Sequence, residues 1–201
     1  MSAKPAFTRA EPDARRLSLI EACARVLARD GVAGVSVRAI ALEAGVSPGL
    51  VGHYFAGVDA LVAETYAHVE AQVSAAIDAA LALAGPDPRA RLDAYVTASF
   101  RPPVASGELL ATWIAFWSLV RSRPDIARQH DEQYAFFRAR LAGLLGDCGV
   151  PQAQLRYAAI TLTALIDGLW LELCLSPQAF SAAEAIEIAQ AALDTVISKG
   201  R

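Results

Sequence analysis

Long apolar runs are missing from this chain of 201 residues. The longest uncharged apolar stretch, Leu109 to Val120, has 12 residues and contains Thr112 and Ser118. A bilayer crossing takes about 20 apolar residues, so no membrane partner is expected. The opening MSAKPAFTRAEPDARR has no apolar signal core, and the expected location is the cytoplasm. Cysteine is scarce: Cys23, Cys148 and Cys174 are odd in number, far apart and set among apolar neighbours. They read as reduced core residues, neither a disulfide framework nor a metal site. Histidine is equally sparse, and none of His53, His68 and His130 has a metal-ligand partner at helical or loop spacing. There is no G-x-S-x-G, phosphate-binding loop or dinucleotide fingerprint, and the carboxylates fall mostly on solvated faces. A catalytic constellation and a cofactor are therefore not expected.

What remains is rich in helix formers. Hydrophobic residues make up 55% of the chain, dominated by alanine, leucine and valine with little β-branched alternation, which predicts an all-α fold. Caps and breakers outline nine helices, connected by short links without repeats or low-complexity linkers. The first runs from about Asp13 to Arg29, with Leu17, Ile20, Ala24 and Leu27 inward and Gly31 beyond its end. Two short helices follow, and a long fourth opens after Gly57 and reaches about Leu83, before Gly85-Pro86. A fifth starts at Asp87-Pro88 and stops before Pro102-Pro103, a sixth spans Glu108 to Arg121, and Pro124 opens a seventh to about Gly146. Pro151 starts an eighth, to Leu175, and Ser181 with Glu184 forms a capping box for a ninth, to about Ser198. Charge is uneven along this order. Residues 1–57 carry Lys4, Arg9, Arg15, Arg16, Arg25, Arg29 and Arg38 and a balance of +2, whereas the remainder carries −5. A mildly basic head on an acidic body suits contact with phosphate at one end only.

The pair of short helices is the informative part. In Ser36 to Phe55, SVRAIALEAGVSPGLVGHYF, positions Val37, Ile40, Ala41 and Ala44 share one helical face. Ser36 stands at an N-cap, and Gly45 stands where the chain must leave the helix in a left-handed conformation. Val46 anchors the turn, Ser47-Pro48 restarts a helix, and Leu50, Val51, Tyr54 and Phe55 give it a buried face. Pro48, Gly49, Gly52 and His53 are left outward. The pattern is a helix-turn-helix whose second helix fits a DNA major groove, with a packed corner of an all-helical domain as the plainer alternative.

This segment resembles the DNA-binding motif of the tetracycline-repressor (TetR) family of bacterial transcriptional regulators. The likeness extends through Arg15-Arg16-Leu17 and Leu19-Ile20-Glu21-Ala22 upstream, and His53-Tyr54-Phe55 and Asp59-Ala60-Leu61 downstream. It implies a DNA-binding domain over residues 13–73, with the motif at 36–55, and a ligand-binding and dimerisation domain over 74–201. Arg38 can reach phosphate or a guanine edge, and Ser47 with the start of the second helix offers N–H groups to phosphate. In related proteins, positions matching His53 and Tyr54 touch the backbone. Pro48, Gly49 and Gly52 permit close approach, so base-specific hydrogen bonding is sparse and DNA shape carries part of the specificity. One departure stands out. Val58 occupies a position where the family commonly has a phosphate-contacting lysine, and its effect is a lower salt slope. A ligand- or partner-binding dimer that has lost tight DNA binding is the alternative this leaves open.

Thr112 to Trp117 (TWIAFW) and Ala164 to Ser176 (ALIDGLWLELCLS) resemble segments of the choline-responsive BetI subgroup of the same family. Trp113, Phe116 and Trp117 form one aromatic stripe, Trp170 lies one turn from Asp167, and Tyr134 is on the helix between. Aromatic faces with a carboxylate suit a quaternary ammonium ligand. The same stripe is compatible with ordinary core or with a pocket for an apolar or aromatic effector. In the last two helices, Ile160, Leu162, Leu165, Ile166, Leu169 and Leu173, then Ile186, Ala189, Leu193 and Val196, cover more than one face. They are expected to pair two subunits through residues 151–198 as a four-helix interface, the alternative being burial inside a monomer. The resulting expectation is a homodimer on a palindromic double-stranded operator, a repressor by the family's usual mode, released by a small-molecule effector.

Overall fold

A computed structural model describes residues 10–200, so Lys4 and Arg9 of the basic head lie outside the described residues, as does the side chain of Cys174. Among the described residues there are nine α-helices and no strand. They are α1 (Ala10–Gly34), α2 (Val37–Glu43), α3 (Pro48–Tyr54), α4 (Val58–Leu83), α5 (Pro88–Thr97), α6 (Gly107–Val120), α7 (Pro124–Asp147), α8 (Gln152–Leu175) and α9 (Ala182–Gly200). A single 3-10 turn, Ala98–Phe100, extends α5. No helix among the described residues is long and apolar enough to cross a membrane.

The head is built from α1 to α3 and the first turns of α4. Leu19, Ile20, Cys23, Val26 and Leu27 of α1 are buried with Ile40, Ala41, Val51, Phe55, Leu61 and Val62. Leu17, expected on this inner face, is instead 40% exposed, because the buried stripe passes through Leu19 and Cys23. Ser36 caps α2 by accepting from the Ala39 N–H at 3.1 Å. Gly45 turns the corner with φ +65°, a left-handed conformation that costs a side chain about 1 kcal/mol or more. Arg16 then ties three elements together. Its Nη1 donates to the Tyr54 carbonyl at 2.8 Å, its Nε to Glu64 at 3.1 Å, and its guanidinium lies 4.5 Å from the Phe55 ring centroid.

The body is helix on helix. Tyr66 of α4 packs its ring edge-on to Trp113 and Phe116 of α6, with centroids at 5.4 and 4.9 Å. On α8, Leu162, Ile166 and Leu169 are buried within the chain, and on α9 so are Ala185, Ala189 and Leu193. The expected capping box is formed: the Ser181 N–H donates to Glu184 at 2.7 Å and the Glu184 N–H to Ser181 Oγ at 3.2 Å. Head and body meet where α6 lies along α1, with the Thr112 hydroxyl 3.4 Å from the Ala24 carbonyl. Cys23 is buried and its thiol is pushed up to about 11 by loss of water. Cys148, expected in the core, is only half-buried because it caps the C-terminus of α7.

Candidate nucleic-acid interface and ligand cavity

The outward face of the head is small and open. Pro48, Gly49, Gly52 and His53 of α3 are exposed, as are Ser47 before it and Arg38 on α2. A Cβ added at Gly49 or Gly52 would meet nothing within 4 Å, so neither glycine is required by packing inside the chain. Tyr54 is half-buried, edge-on to His53 with ring centroids 5.2 Å apart. Ser47 occupies the N-cap position of α3, but its hydroxyl makes no capping hydrogen bond, contrary to the expectation from Ser47-Pro48. The Pro48 ring starts the helix without it.

The charges around this face are of two kinds. Arg25 and Arg29 are spent on Glu43, at 2.8 and 2.7 Å, which holds the Glu43 carboxyl below its usual range. Arg38 has no ion-pair partner among the described residues. It is thus the cation on α2 free to meet phosphate, which electrostatics alone would favour.

The second constellation lies inside the body. Trp113 and Trp117 of α6, Tyr134 of α7, and Asp167 and Trp170 of α8 line one cavity of about 70 Å³. Val73 of α4, Ser99, Gln133, Phe137, Thr163 and Ile166 complete its wall; of these the sequence singles out only Ile166, as part of the apolar face of α8. Phe116 is the correction. It faces away from the cavity, fully buried between Tyr66 and Trp113 as core. A residue at i+3 on an aromatic stripe can turn to a neighbouring helix, and Tyr66 of α4 is what draws Phe116 there.

Polar groups in the cavity are fixed by named partners. The Tyr134 hydroxyl donates to Asp167 Oδ1 at 3.1 Å, and the Trp170 indole N–H donates to the Ser99 carbonyl at 2.9 Å. The Tyr66 hydroxyl donates to Gln133 Oε1 at 3.0 Å, holding that amide at the rim. Burial raises the Asp167 carboxyl to about 6, although the Tyr134 hydrogen bond and the more distant Arg138 oppose the rise. Burial likewise raises the Tyr134 phenol, helped by the neighbouring Asp167 charge. The Trp117 indole nitrogen is buried and lies toward the Tyr134 hydroxyl, but its N–H meets no acceptor in full hydrogen-bonding geometry among the described residues. The cavity therefore offers flat aromatic faces, one carboxylate short of a cation, and one donor short of an acceptor.

Comparison with known proteins agrees with both halves. The family described as bacterial regulatory proteins, tetR family, matches residues 19–65, and the BetI-type transcriptional repressor C-terminal family matches residues 88–198. Curated relatives named HTH-type transcriptional regulator BetI include one from Paraburkholderia phytofirmans, 36% identical over 92% of this chain and 94% of its own. Another, from Burkholderia thailandensis, is 35% identical over the same shares. Among solved structures, a transcriptional regulator of Pseudomonas aeruginosa PAO1 is 40% identical, with a TM-score of 0.85 over 98% of this chain and 99% of that one. A regulator of Saccharomonospora viridis, solved in complex with choline, has the same fold with a TM-score of 0.78 at 22% identity, over 90% of this chain and 96% of that one. The chain belongs to the TetR family of bacterial regulatory proteins, with a BetI-type C-terminal half, and is a DNA-binding transcriptional regulator.

Proposed function

We propose that this regulator is a homodimeric repressor that leaves its operator when a small organic cation carrying an acceptor oxygen, of the choline type, enters the aromatic cavity. The observation that carries the reading is Asp167: a largely buried carboxylate among Trp113, Trp117, Tyr134 and Trp170 that forms no ion pair among the described residues, Arg138 acting on it only from a distance. An isolated buried carboxylate is costly, and a cation held against aromatic rings is the ligand that removes the cost. The unpartnered Trp117 donor matches a hydroxyl or carbonyl oxygen on the same ligand. The choline bound by the S. viridis protein and the names of the curated relatives favour this class over a purely apolar effector.

On the DNA side, Arg38, Ser47, His53 and Tyr54 hold phosphates, and Pro48, Gly49 and Gly52 let the backbone of α3 approach the base edges. The recognition helices of such a dimer enter successive major grooves, about 34–36 Å apart. The pairing surface is the outer stripe of α8, where Tyr157, Ile160, Ala164, Gly168, Leu171 and Leu175 recur every three or four residues and are all exposed. Ile188 of α9, 44% exposed, extends it. An apolar helix stripe of this length with small residues at its centre suits close packing against a second copy.

The test is a thermal-shift titration with choline chloride at pH 7.5, repeated on Asp167→Asn. A rise in melting temperature that disappears in the variant supports the reading, since a ligand bound only by the native state stabilises it by mass action. No shift in the parent protein would remove the choline-type cation from consideration.

A further inference from the structure

The corner between α6 and α7 rests on the first turn of α4, and one side chain holds it there. Arg123, the residue before α7, has only 20% of its side chain exposed. Its Nη1 donates to Asp59 Oδ1 at 2.6 Å and its Nη2 to the Asp59 carbonyl at 3.2 Å. The same guanidinium donates to Asp125 through Nε at 3.0 Å and Nη2 at 2.6 Å. Asp125 lies in the first turn of α7 and Asp59 in the first turn of α4. The planar fork of an arginine can serve two carboxylates and a carbonyl at once, which a lysine ammonium on a flexible stem cannot do in one fixed geometry.

Both ends of this clasp lead somewhere. Toward the DNA side, only Phe55 to Gly57 separate α3 from α4, so any shift of the first turn of α4 moves the recognition helix. Toward the body, Trp117 lies six residues before Arg123 and Tyr134 eleven after it. At 1.5 Å per residue, these cavity walls stand roughly 9 and 16 Å from the corner. The α6 and α7 helices are thus two arms that leave the corner at Arg123 and both line the cavity, together with α8 and Val73 of α4. The cavity of about 70 Å³ is smaller than the roughly 150 Å³ that accommodates benzene, so an organic ligand displaces its walls, to which the two arms supply Trp113, Trp117, Gln133, Tyr134 and Phe137.

We propose that Arg123 is the residue that couples the cavity to the reading head: by bracing the α6–α7 corner on Asp59, it turns parting of the arms into a displacement of α4 and, with it, of α3. Arg123 is a positioning residue, touching neither effector nor DNA. The proposal rests on the effector reading above. Other links between the cavity and α4 run through Tyr66, which packs on Trp113 and bonds to Gln133, through Val73 in the cavity wall, and through the Arg140–Asp78 ion pair, but all meet α4 about two turns or more farther from α3.

The experiment uses the full-length protein, an operator selected from random DNA, and choline chloride as the probe. Operator Kd is measured with and without saturating choline, and choline Kd separately by calorimetry, for the parent, Arg123→Gln and Tyr66→Phe. Allosteric couplings commonly amount to 5–150-fold. In Arg123→Gln, choline Kd and choline-free operator Kd should stay within about five-fold of the parent, while the coupling ratio falls to about two-fold or less. Tyr66→Phe should keep the parent ratio. A parent-like ratio in Arg123→Gln, or loss in Tyr66→Phe alone, overturns the proposal. If choline does not bind the parent, the effector reading fails, and the clasp is read without ligand by hydrogen exchange. Arg123→Gln should then show faster amide exchange across residues 58–62 with operator affinity still within about five-fold of the parent, and parent-like exchange there would refute it.

Discussion

Asp167 shows how a single residue ties stability to ligand chemistry. Its carboxyl titrates at about 6 in the folded protein, above the value of about 3.9 in an unfolded chain. The folded state therefore binds the proton more tightly, and stability is highest when the group is protonated in both states. Stability is predicted to fall by roughly 2–3 kcal/mol as pH rises from about 4 to 6, and to be flat with respect to this group above that. Asp167→Asn should remove the fall, leaving the free protein more stable near pH 7 while abolishing the choline-induced shift; chemical denaturation across this pH range checks it. If the proposed function holds, choline affinity should run the other way, weakening up to about ten-fold per pH unit below 6 as the carboxylate is neutralised. Tyr134 could be placed only on the helix between the two segments that resemble the BetI subgroup, whereas Trp113 with Trp117, and Asp167 with Trp170, could be named from the sequence because helical spacing in those segments puts each pair on one face. Arg123 and Asp59 could not. They are 64 positions apart, and no periodicity signals which arginine meets which aspartate.

At the scale of elements, the helix-turn-helix was legible because its signals are local. The Ser36 cap, the left-handed Gly45 and the Pro48 restart each act within four residues, so tertiary packing had little to override. The exceptions have local causes too. Gly31 takes φ +63° inside the span of α1, and the segment resumes to Gly34 where a simple stop at Arg29 was expected. The open face of α3 makes a clean prediction: Gly52→Gln adds a side chain into empty solvent, so the melting temperature should be unchanged or slightly higher. Operator affinity should nevertheless fall by more than about ten-fold, because the new side chain stands where the backbone must approach the groove. Equal binding by the two proteins in a fluorescence-anisotropy titration would show that α3 does not face the bases. Val58→Lys tests the other end of the same surface. Restoring a cation at the start of α4 should steepen the slope of log affinity against log salt by about 0.9 for each protomer.

The whole molecule depends on how the apolar faces of α8 and α9 are divided. From the sequence, Leu162, Ile166 and Leu169 could not be separated from Ile160 and Leu173, because an all-round apolar helix gives no moment to orient it. Folding divides them: the first three close the cavity and core, while Tyr157, Ile160 and Leu175 remain outward with Ala164 and Gly168 between. Gly168→Arg places a charge at the centre of that stripe, where nothing in the chain lies within 4 Å of a new Cβ. It should leave helicity intact, shift the species seen by analytical ultracentrifugation from two copies toward one chain of 21.2 kDa, and abolish operator binding. The most direct measurement of the account is selection of DNA from a random library by the purified protein, with Gly52→Gln run in parallel. The prediction is an enriched inverted repeat whose half-sites are centred one helical turn, about 10–10.5 base pairs, or a multiple apart, and no enrichment with the variant. Enrichment of sequences without two-fold symmetry, or equal enrichment by both proteins, would contradict it.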